Sequence, residues 1–105
     1  IMIREFFLGF IKIHILYHAS KAPVCGIEII KELRRHGYSI SSGTIYPTLH
    51  ALERQNYLRS ENSVVGGKRR RYYQITEKGL KVLEASRKKI SELVEEVMEQ
   101  TEIGN

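Results

Sequence analysis

At 105 residues, with 42% hydrophobic and 28% charged positions, the chain has the length and composition of one folded domain and not those of a disordered segment. Its single cysteine, Cys25, excludes an internal disulfide and fits a reducing, cytoplasmic setting; the apolar run from Phe6 to Tyr17, broken by Lys12, falls short of the about 20 residues that a bilayer span needs. The net charge of +5 is unevenly placed: residues 1–81 hold 14 basic and 6 acidic side chains, a net +8, and residues 82–105 hold 3 and 6, a net −3, which implies a polyanionic partner for one part of the molecule. No signal peptide is visible, and because the chain starts at Ile1, ahead of Met2, a native N-terminus upstream is expected.

Residues 2–18 read as the first helix. Ile3, Phe6, Phe10, Ile13 and Tyr17 form one apolar stripe, and Leu8, Ile11 and Ile15 lie on the opposite side. A helix that is apolar nearly all round must be covered on both faces. A domain this small has little interior for that, so a second face packed on a partner subunit is expected; a central core helix is the plainer alternative. His14 and His18, spaced i, i+4, can share a metal ion. No acidic residue or further histidine is near in sequence to complete a site, however, and Cys25 lies a turn too far. A structural or surface role is therefore expected, with no metal and no cofactor.

Ala19 to Pro23 read as a connection and Val24 to His36 as the second helix, with Val24, Ile27, Ile30 and Leu33 inward and Gly37 at the C-cap position. A tight turn over Ser39 to Ser42 leads into a short third helix that ends near Gln55-Asn56. There Ile45, Leu49 and Leu52 share one face; Pro47, His50, Ala51 and Arg54 share the other, with Thr44 and Tyr46 at its edges. Either Ser42 or Thr44 is the cap, and Pro47 is expected in about the first turn. Two helices joined by a few residues, the second short and polar outside, make a helix-turn-helix. The free N–H groups at such a helix start suit a phosphate. A plain amphipathic core helix would explain the apolar face equally well.

Leu58 to Glu61 is a brief extended run. Asn62 to Lys68 is a turn segment around Gly66-Gly67, and Arg69 to Ile75 a second strand, with Tyr73 and Ile75 on one face and Arg70, Tyr72 and Gln74 on the other. The resulting hairpin carries Lys68-Arg69-Arg70-Arg71 at its tip. Four consecutive cations repel one another unless an anion meets them, and they suit phosphate binding or minor-groove entry. Thr76 caps a fourth helix from Glu77 to about Glu102. Its stripe of Leu80, Leu83, Ile90, Leu93, Val94, Val97 and Met98 runs beyond anything residues 1–75 can cover, so antiparallel or crossed packing against a second copy is expected. The predicted fold is mainly α with a small β-hairpin: a winged helix-turn-helix domain over residues 1–78 and a dimerisation helix over residues 79–105.

Several segments carry a family likeness: Pro23-Val24-Cys25-Gly26-Ile27-Glu28-Ile29, Gly43-Thr44-Ile45-Tyr46-Pro47-Thr48-Leu49, Leu52-Glu53, and Arg71-Tyr72-Tyr73-Gln74-Ile75-Thr76-Glu77-Lys78-Gly79. Together, over roughly residues 6–85, they resemble the PadR family of bacterial and archaeal transcriptional regulators, and the single C-terminal helix resembles its short branch. The Gly-Thr-Ile-Tyr-Pro segment joined to Tyr-Tyr-Gln-Ile-Thr-Glu-Lys-Gly at this separation makes the likeness specific. The chain departs at Ile27, where the family usually has Tyr, and at Asn56 or Tyr57, where it often has Gly. The resemblance implies a dimer on inverted-repeat operator DNA, with the third helix in the major groove and the hairpin on the flanking backbone. It also implies repression in most members and, in some, release of DNA when a small molecule binds. A multidrug-sensing relative in the short branch stacks planar drugs on tryptophan between its subunits; this chain has no Trp.

On this reading Thr44, Tyr46, Pro47 and His50 meet base edges or adjacent phosphates, and Ser42 donates to a phosphate. Lys68, Arg69 and Arg70 hold the flanking backbone, while Phe6, Phe10, Leu83, Ile90, Val94 and Val97 build the dimer. An effector pocket lined by Phe6, Phe10, Tyr17, Val94 and Met98 is a further extension. The start of the third helix lacks the Arg or Lys that reads guanine bidentately, so recognition is expected to lean on DNA shape. The rival reading is a winged-helix module that binds an acidic protein surface. An enzyme is disfavoured: the chain has no Asp, no Ser–His–acid relay and no Gly-rich phosphate loop.

Overall fold

The computed structural model describes the backbone of residues 2–103 and the side chains of residues 4–99. The elements follow in the order α1 (Met2–Lys21), β1 (Val24–Cys25), α2 (Gly26–Arg35), α3 (Ser42–Arg54), β2 (Leu58–Val65), β3 (Lys68–Ile75) and α4 (Glu77–Ile103). The strands form one antiparallel sheet in the order β1-β3-β2. This is the predicted winged helix-turn-helix with a long terminal helix, with one strand more than expected.

The core gathers Ile11, Ile15, Leu16 and Ala19 of α1, Ile29 and Leu33 of α2, Ile45, Leu49 and Leu52 of α3, and Leu58, Tyr73 and Leu83. Helix α1 runs on to Lys21 instead of ending at residue 18, because Ala19 extends the buried face formed by Ile11 and Ile15. Its opposite stripe faces outward: Phe6 is 57% exposed, Tyr17 is exposed, and Ile13 and Phe10 are half-buried. The side chain of Ile3, the other predicted member of that stripe, lies outside the described residues.

Val24 and Cys25, read from the sequence as the first turn of α2, instead pair with Tyr73 and Tyr72 as strand β1. The Cys25 N–H donates to the Glu28 carboxylate at 3.0 Å, which satisfies the amide just before Gly26 opens the helix. The inward residues of α2 are Gly26, Ile29 and Leu33, whereas Ile27 is 42% exposed. The cause is steric: a Cβ on Gly26 would lie 2.4 Å from the Tyr46 ring, so only glycine lets the start of α2 meet α3 this closely.

Helices α2 and α3 end by one device. After α2, left-handed Gly37 (φ 88°) donates its N–H to the Arg34 carbonyl and Tyr38 donates to that of Leu33, each at 3.0 Å. After α3, left-handed Asn56 (φ 65°) donates to Glu53 at 2.9 Å and Tyr57 to Leu52 at 3.0 Å. Asparagine tolerates this conformation better than other residues with a side chain, so the absence of glycine here leaves the stop intact.

β2 and β3 pair without interruption from Leu58↔Ile75 to Val65↔Lys68. Gly66 and Gly67 (φ 59° and 77°) close the hairpin as a two-residue turn with positive φ at both positions, the geometry that matches strand twist. Residues 62–65, predicted as loop, are therefore strand, since so tight a turn consumes two residues only. At the other end the Thr76 hydroxyl accepts the Gly79 N–H at 3.0 Å and donates to the Asn56 carbonyl. A Cβ on Gly79 would lie 2.2 Å from the Tyr57 carbonyl oxygen, so the Thr-Glu-Lys-Gly segment docks α4 directly onto the chain leaving α3.

Candidate nucleic-acid interface

The start of α3 is open. Its cap is Ser41, in extended geometry (φ −100°, ψ 162°), and not Ser42 or Thr44 as expected, because the helical backbone already begins at Ser42. The Ser41 carbonyl accepts N–H groups from Thr44 and Ile45, both at 3.1 Å, and no side chain caps the helix. The N–H groups of Ser42 and Gly43 therefore remain available to an outside acceptor, and both residues are exposed. Pro47 sits at the sixth helical position, deeper than the predicted first turn. Its missing N–H deprives the Gly43 carbonyl of a bond, but Gly43 is exposed and that carbonyl can turn to water. Thr48, buried beneath, returns its hydroxyl to the Thr44 carbonyl at 2.7 Å.

Ser42, Tyr46, Pro47, His50 and Arg54 share the exposed face of α3, and Thr44 is half-buried at its edge. Tyr46 is 37% exposed, with its ring laid on Gly26. Between it and the hairpin runs a groove of about 300 Å³, lined by Cys25, Gly26, Ile27 and Tyr46 on one side and by Lys68–Arg71 and Tyr73 on the other. The four cations belong to paired strand β3 and not to a loose tip, and all four border this groove.

The four cations are not equivalent. Arg71 Nη1 lies 3.7 Å from Glu53 Oε1, and the other oxygen of that carboxylate accepts the Ser60 hydroxyl at 2.6 Å. Among the described residues no carboxylate lies within 4.0 Å of the charged nitrogens of Lys68, Arg69 or Arg70. Burial, with Glu53 secondary, pushes the Tyr73 hydroxyl above its ordinary pKa, so it stays neutral beneath the wing. A second groove, of about 520 Å³, flanks the start of α3 and brings Arg4 and Arg34 to Ser39, Ser41 and Thr44.

The structure thus brings Thr44, Tyr46, Lys68, Arg69 and Arg70 to the two grooves beside α3, with Ser42, Pro47 and His50 on the helix face between. Sequence reading missed Ile27, Arg4 and Arg34 as neighbours of this surface, and it did not separate Arg71 from the other three cations by its pairing with Glu53. Gly26 was a usable signal, since a glycine at a helix start often marks a close approach. Nothing in the spacing links Arg4 to Arg34, which only the packing of α1 on α2 joins.

A further surface is apolar, and Phe7 joins it to the groove beside the start of α3. Phe6, Phe7, Ile90, Leu93, Val94, Val97 and Met98 are all exposed, and from Arg87 to Glu99 every residue of α4 is exposed. Leu83, expected on the dimer face, is instead 2% exposed within its own subunit, because the first turns of α4 lie against α1. The histidine pair also needs correction: His36, distant in sequence, stands with its ring centroid 5.1 Å from that of His14. Burial first, then the neighbouring His36 and His18, hold the His14 pKa below its usual value. Among the described residues no helix is long and apolar enough to cross a membrane.

Comparison with known proteins agrees with this geometry. Residues 15–85 match the transcriptional regulator PadR-like family. The chain is 45% identical over 95 residues to the transcriptional regulator Rv3488 of Mycobacterium tuberculosis, covering 90% of this chain and 89% of that protein. A PadR family transcriptional regulator from Eggerthella lenta is similar in structure with a TM-score of 0.80 and 33% identity, over 96% of this chain and 89% of that one. A PadR family transcription regulator from Clostridium difficile gives 0.76 and 32%, over 88% and 97%.

Proposed function

The chain belongs to the PadR-like family of transcriptional regulators, and from that premise we propose that it acts as a homodimeric repressor on an inverted-repeat operator. In each subunit α3 enters the major groove, and the hairpin lies on the flanking backbone. Thr44, Tyr46, Pro47 and His50 meet base edges or neighbouring phosphates, Ser42 donates to a phosphate, and Lys68, Arg69 and Arg70 hold the backbone.

The observation that carries this reading is the presence, on two flanks of α3, of an uncapped, acid-free helix start and of a groove lined by three cations that no described carboxylate approaches within 4.0 Å. A phosphate at the open N–H groups and cations along the strand satisfies both. Arg4 and Arg34 add positive charge on the other flank of the same helix.

Dimerisation is supported by the far end of α4. From Arg87 to Glu99 every residue of α4 is exposed, and an apolar stripe of that length in water calls for another apolar surface. Ile90, Val94 and Val97 with Phe6 and the half-buried Phe10 provide the apolar surface that a second copy would bury. The division into a winged-helix unit over residues 1–78 and a dimerisation helix over residues 79–105 follows the same lines.

The test is selection of duplex DNA from a random pool by the purified protein. The expected outcome is an inverted repeat whose half-sites lie about one helical turn, 34–36 Å, apart. Retention on heparin without any selected sequence would move the reading to a protein-binding module.

A further inference from the structure

We propose that His14, His18 and His36 form a binding site for a divalent transition-metal ion. The three residues come from two parts of the chain: His14 and His18 sit one turn apart on α1, and His36 is the C-cap of α2. One ring nitrogen of each lies within 4.8 Å of the others. The rings of His14 and His18 are near parallel at 19°, with centroids 6.4 Å apart. Around a tetrahedral ion with metal–nitrogen bonds of about 2.0–2.1 Å, nitrogens stand roughly 3.3–3.4 Å apart. Small rotations of two half-buried rings and one exposed ring close that gap.

The site has an unmet need that an ion would fill. Nε2 of His18 is sealed from solvent and has no hydrogen-bond partner. Its neighbouring carboxylate oxygen, Glu32 Oε2, is 3.9 Å away, beyond hydrogen-bond reach. A buried polar nitrogen left in this state is costly, and a coordinate bond satisfies it.

The surroundings accept a cation. Arg35 and Arg87 line the same cavity of about 430 Å³, but each is already paired, Arg35 with Glu32 at 3.0 Å and Arg87 with Glu84 at 2.8 Å. The Glu32 carboxylate lies beside the histidines, 3.9 Å from His18 Nε2. Three imidazoles select zinc, cobalt, nickel or copper over magnesium and calcium, which prefer oxygen cages. The cavity leaves room for water as a fourth ligand. An ion held here ties α1 to the end of α2, just ahead of the turn into α3, and adjoins Leu83 and Arg87 of α4.

The inference stands apart from DNA binding, since its test reads the metal directly. The full, tag-free chain, stripped with chelator, is titrated with Co²⁺ as a spectroscopic probe and with Zn²⁺ by calorimetry. The expected result is one ion per subunit, with the visible bands of tetrahedral cobalt that zinc then abolishes. His36→Ala, at the exposed cap, and His14→Ala should each weaken zinc binding about tenfold or more, whereas His50→Ala on α3 leaves it unchanged. Circular dichroism and melting of the metal-free variants establish that the fold persists; should His14→Ala fail to fold, His36→Ala decides alone. Absence of cobalt bands and zinc heat would overturn the site. So would wild-type affinity in His36→Ala.

Discussion

The molecule exposes two surfaces of opposite character. Around α3 and the hairpin, hydroxyl, imidazole and guanidinium groups face water beside the apolar Ile27, Val64 and Val65, over a groove in which three of four cations have no described carboxylate within 4.0 Å. Along α1 and the far half of α4, what faces water is Phe6, Phe7, Leu93, Val94 and Met98. Both are unfinished, in different chemical terms. An exposed apolar stripe is relieved by another apolar surface, and a run of cations by a polyanion. On the proposed reading the contrast separates residues that would assemble a dimer from residues that would engage DNA, and it tells which measurement each class should move.

The largest expected effect falls on the apolar side. Val94→Glu places a charge in the stripe and should convert the proposed dimer to a monomer in analytical ultracentrifugation. Because two linked half-sites gain about 10²–10⁴ in avidity, affinity for an inverted-repeat operator should fall at least about a hundredfold. Affinity for a single half-site should change little. A variant that remains dimeric would remove this face from the assembly.

Next comes the joint between the two surfaces. Gly79→Ala pushes a methyl group against the Tyr57 carbonyl oxygen, which is backbone and cannot swing aside. Overpacking of this kind costs about 1–3 kcal/mol, and each kcal/mol should lower the melting temperature by roughly 4–8 °C in a domain of this size. An unchanged melting curve would show that α4 can shift without loss. On the polar side, Tyr46→Ala should erode discrimination between operator and random duplex by about 1–3 kcal/mol, the range of a good base contact. Equal losses on both DNAs in fluorescence anisotropy would reduce Tyr46 to a spacer resting on Gly26.

How much of this was legible beforehand depended on whether the cause was local. The faces of α3 and the cap at Thr76 follow from spacing and side-chain chemistry, and both appear in the structure as read. Strand β1 was missed because two residues carry no periodicity; Val24 and Cys25 are strand only because Tyr72 and Tyr73 lie beside them. The inward face of α2 was misjudged because the decisive contact, Gly26 on Tyr46, joins two helices. Leu83 matched the exposed stripe in spacing, yet only the packing of α1 on α4 decides which part of one continuous stripe a subunit covers for itself. His36 joined His14 and His18 for the same reason: the turn that ends α2 is local, but where it points is not.

The smallest effect is the most discriminating, because it compares neighbours. Arg70 and Arg71 are adjacent and identical in type, and composition cannot tell them apart. Arg71 already faces Glu53 at 3.7 Å, whereas no described carboxylate lies within 4.0 Å of Arg70. A cation that meets a phosphate releases counterions; one still shared with a carboxylate releases fewer. Arg70→Ala should therefore weaken binding to all sequences alike and lower the slope of log affinity against log salt by about 1. Arg71→Ala should change that slope by clearly less than Arg70→Ala, because Glu53 loses its neutralising partner and repels the backbone in either salt. Glu53→Gln should then bring the slope change at Arg71 toward that at Arg70. Equal slope changes for the two arginines in the unmodified background would show that Glu53 gives up Arg71 when DNA arrives. The hairpin would then present four cations to the duplex instead of three.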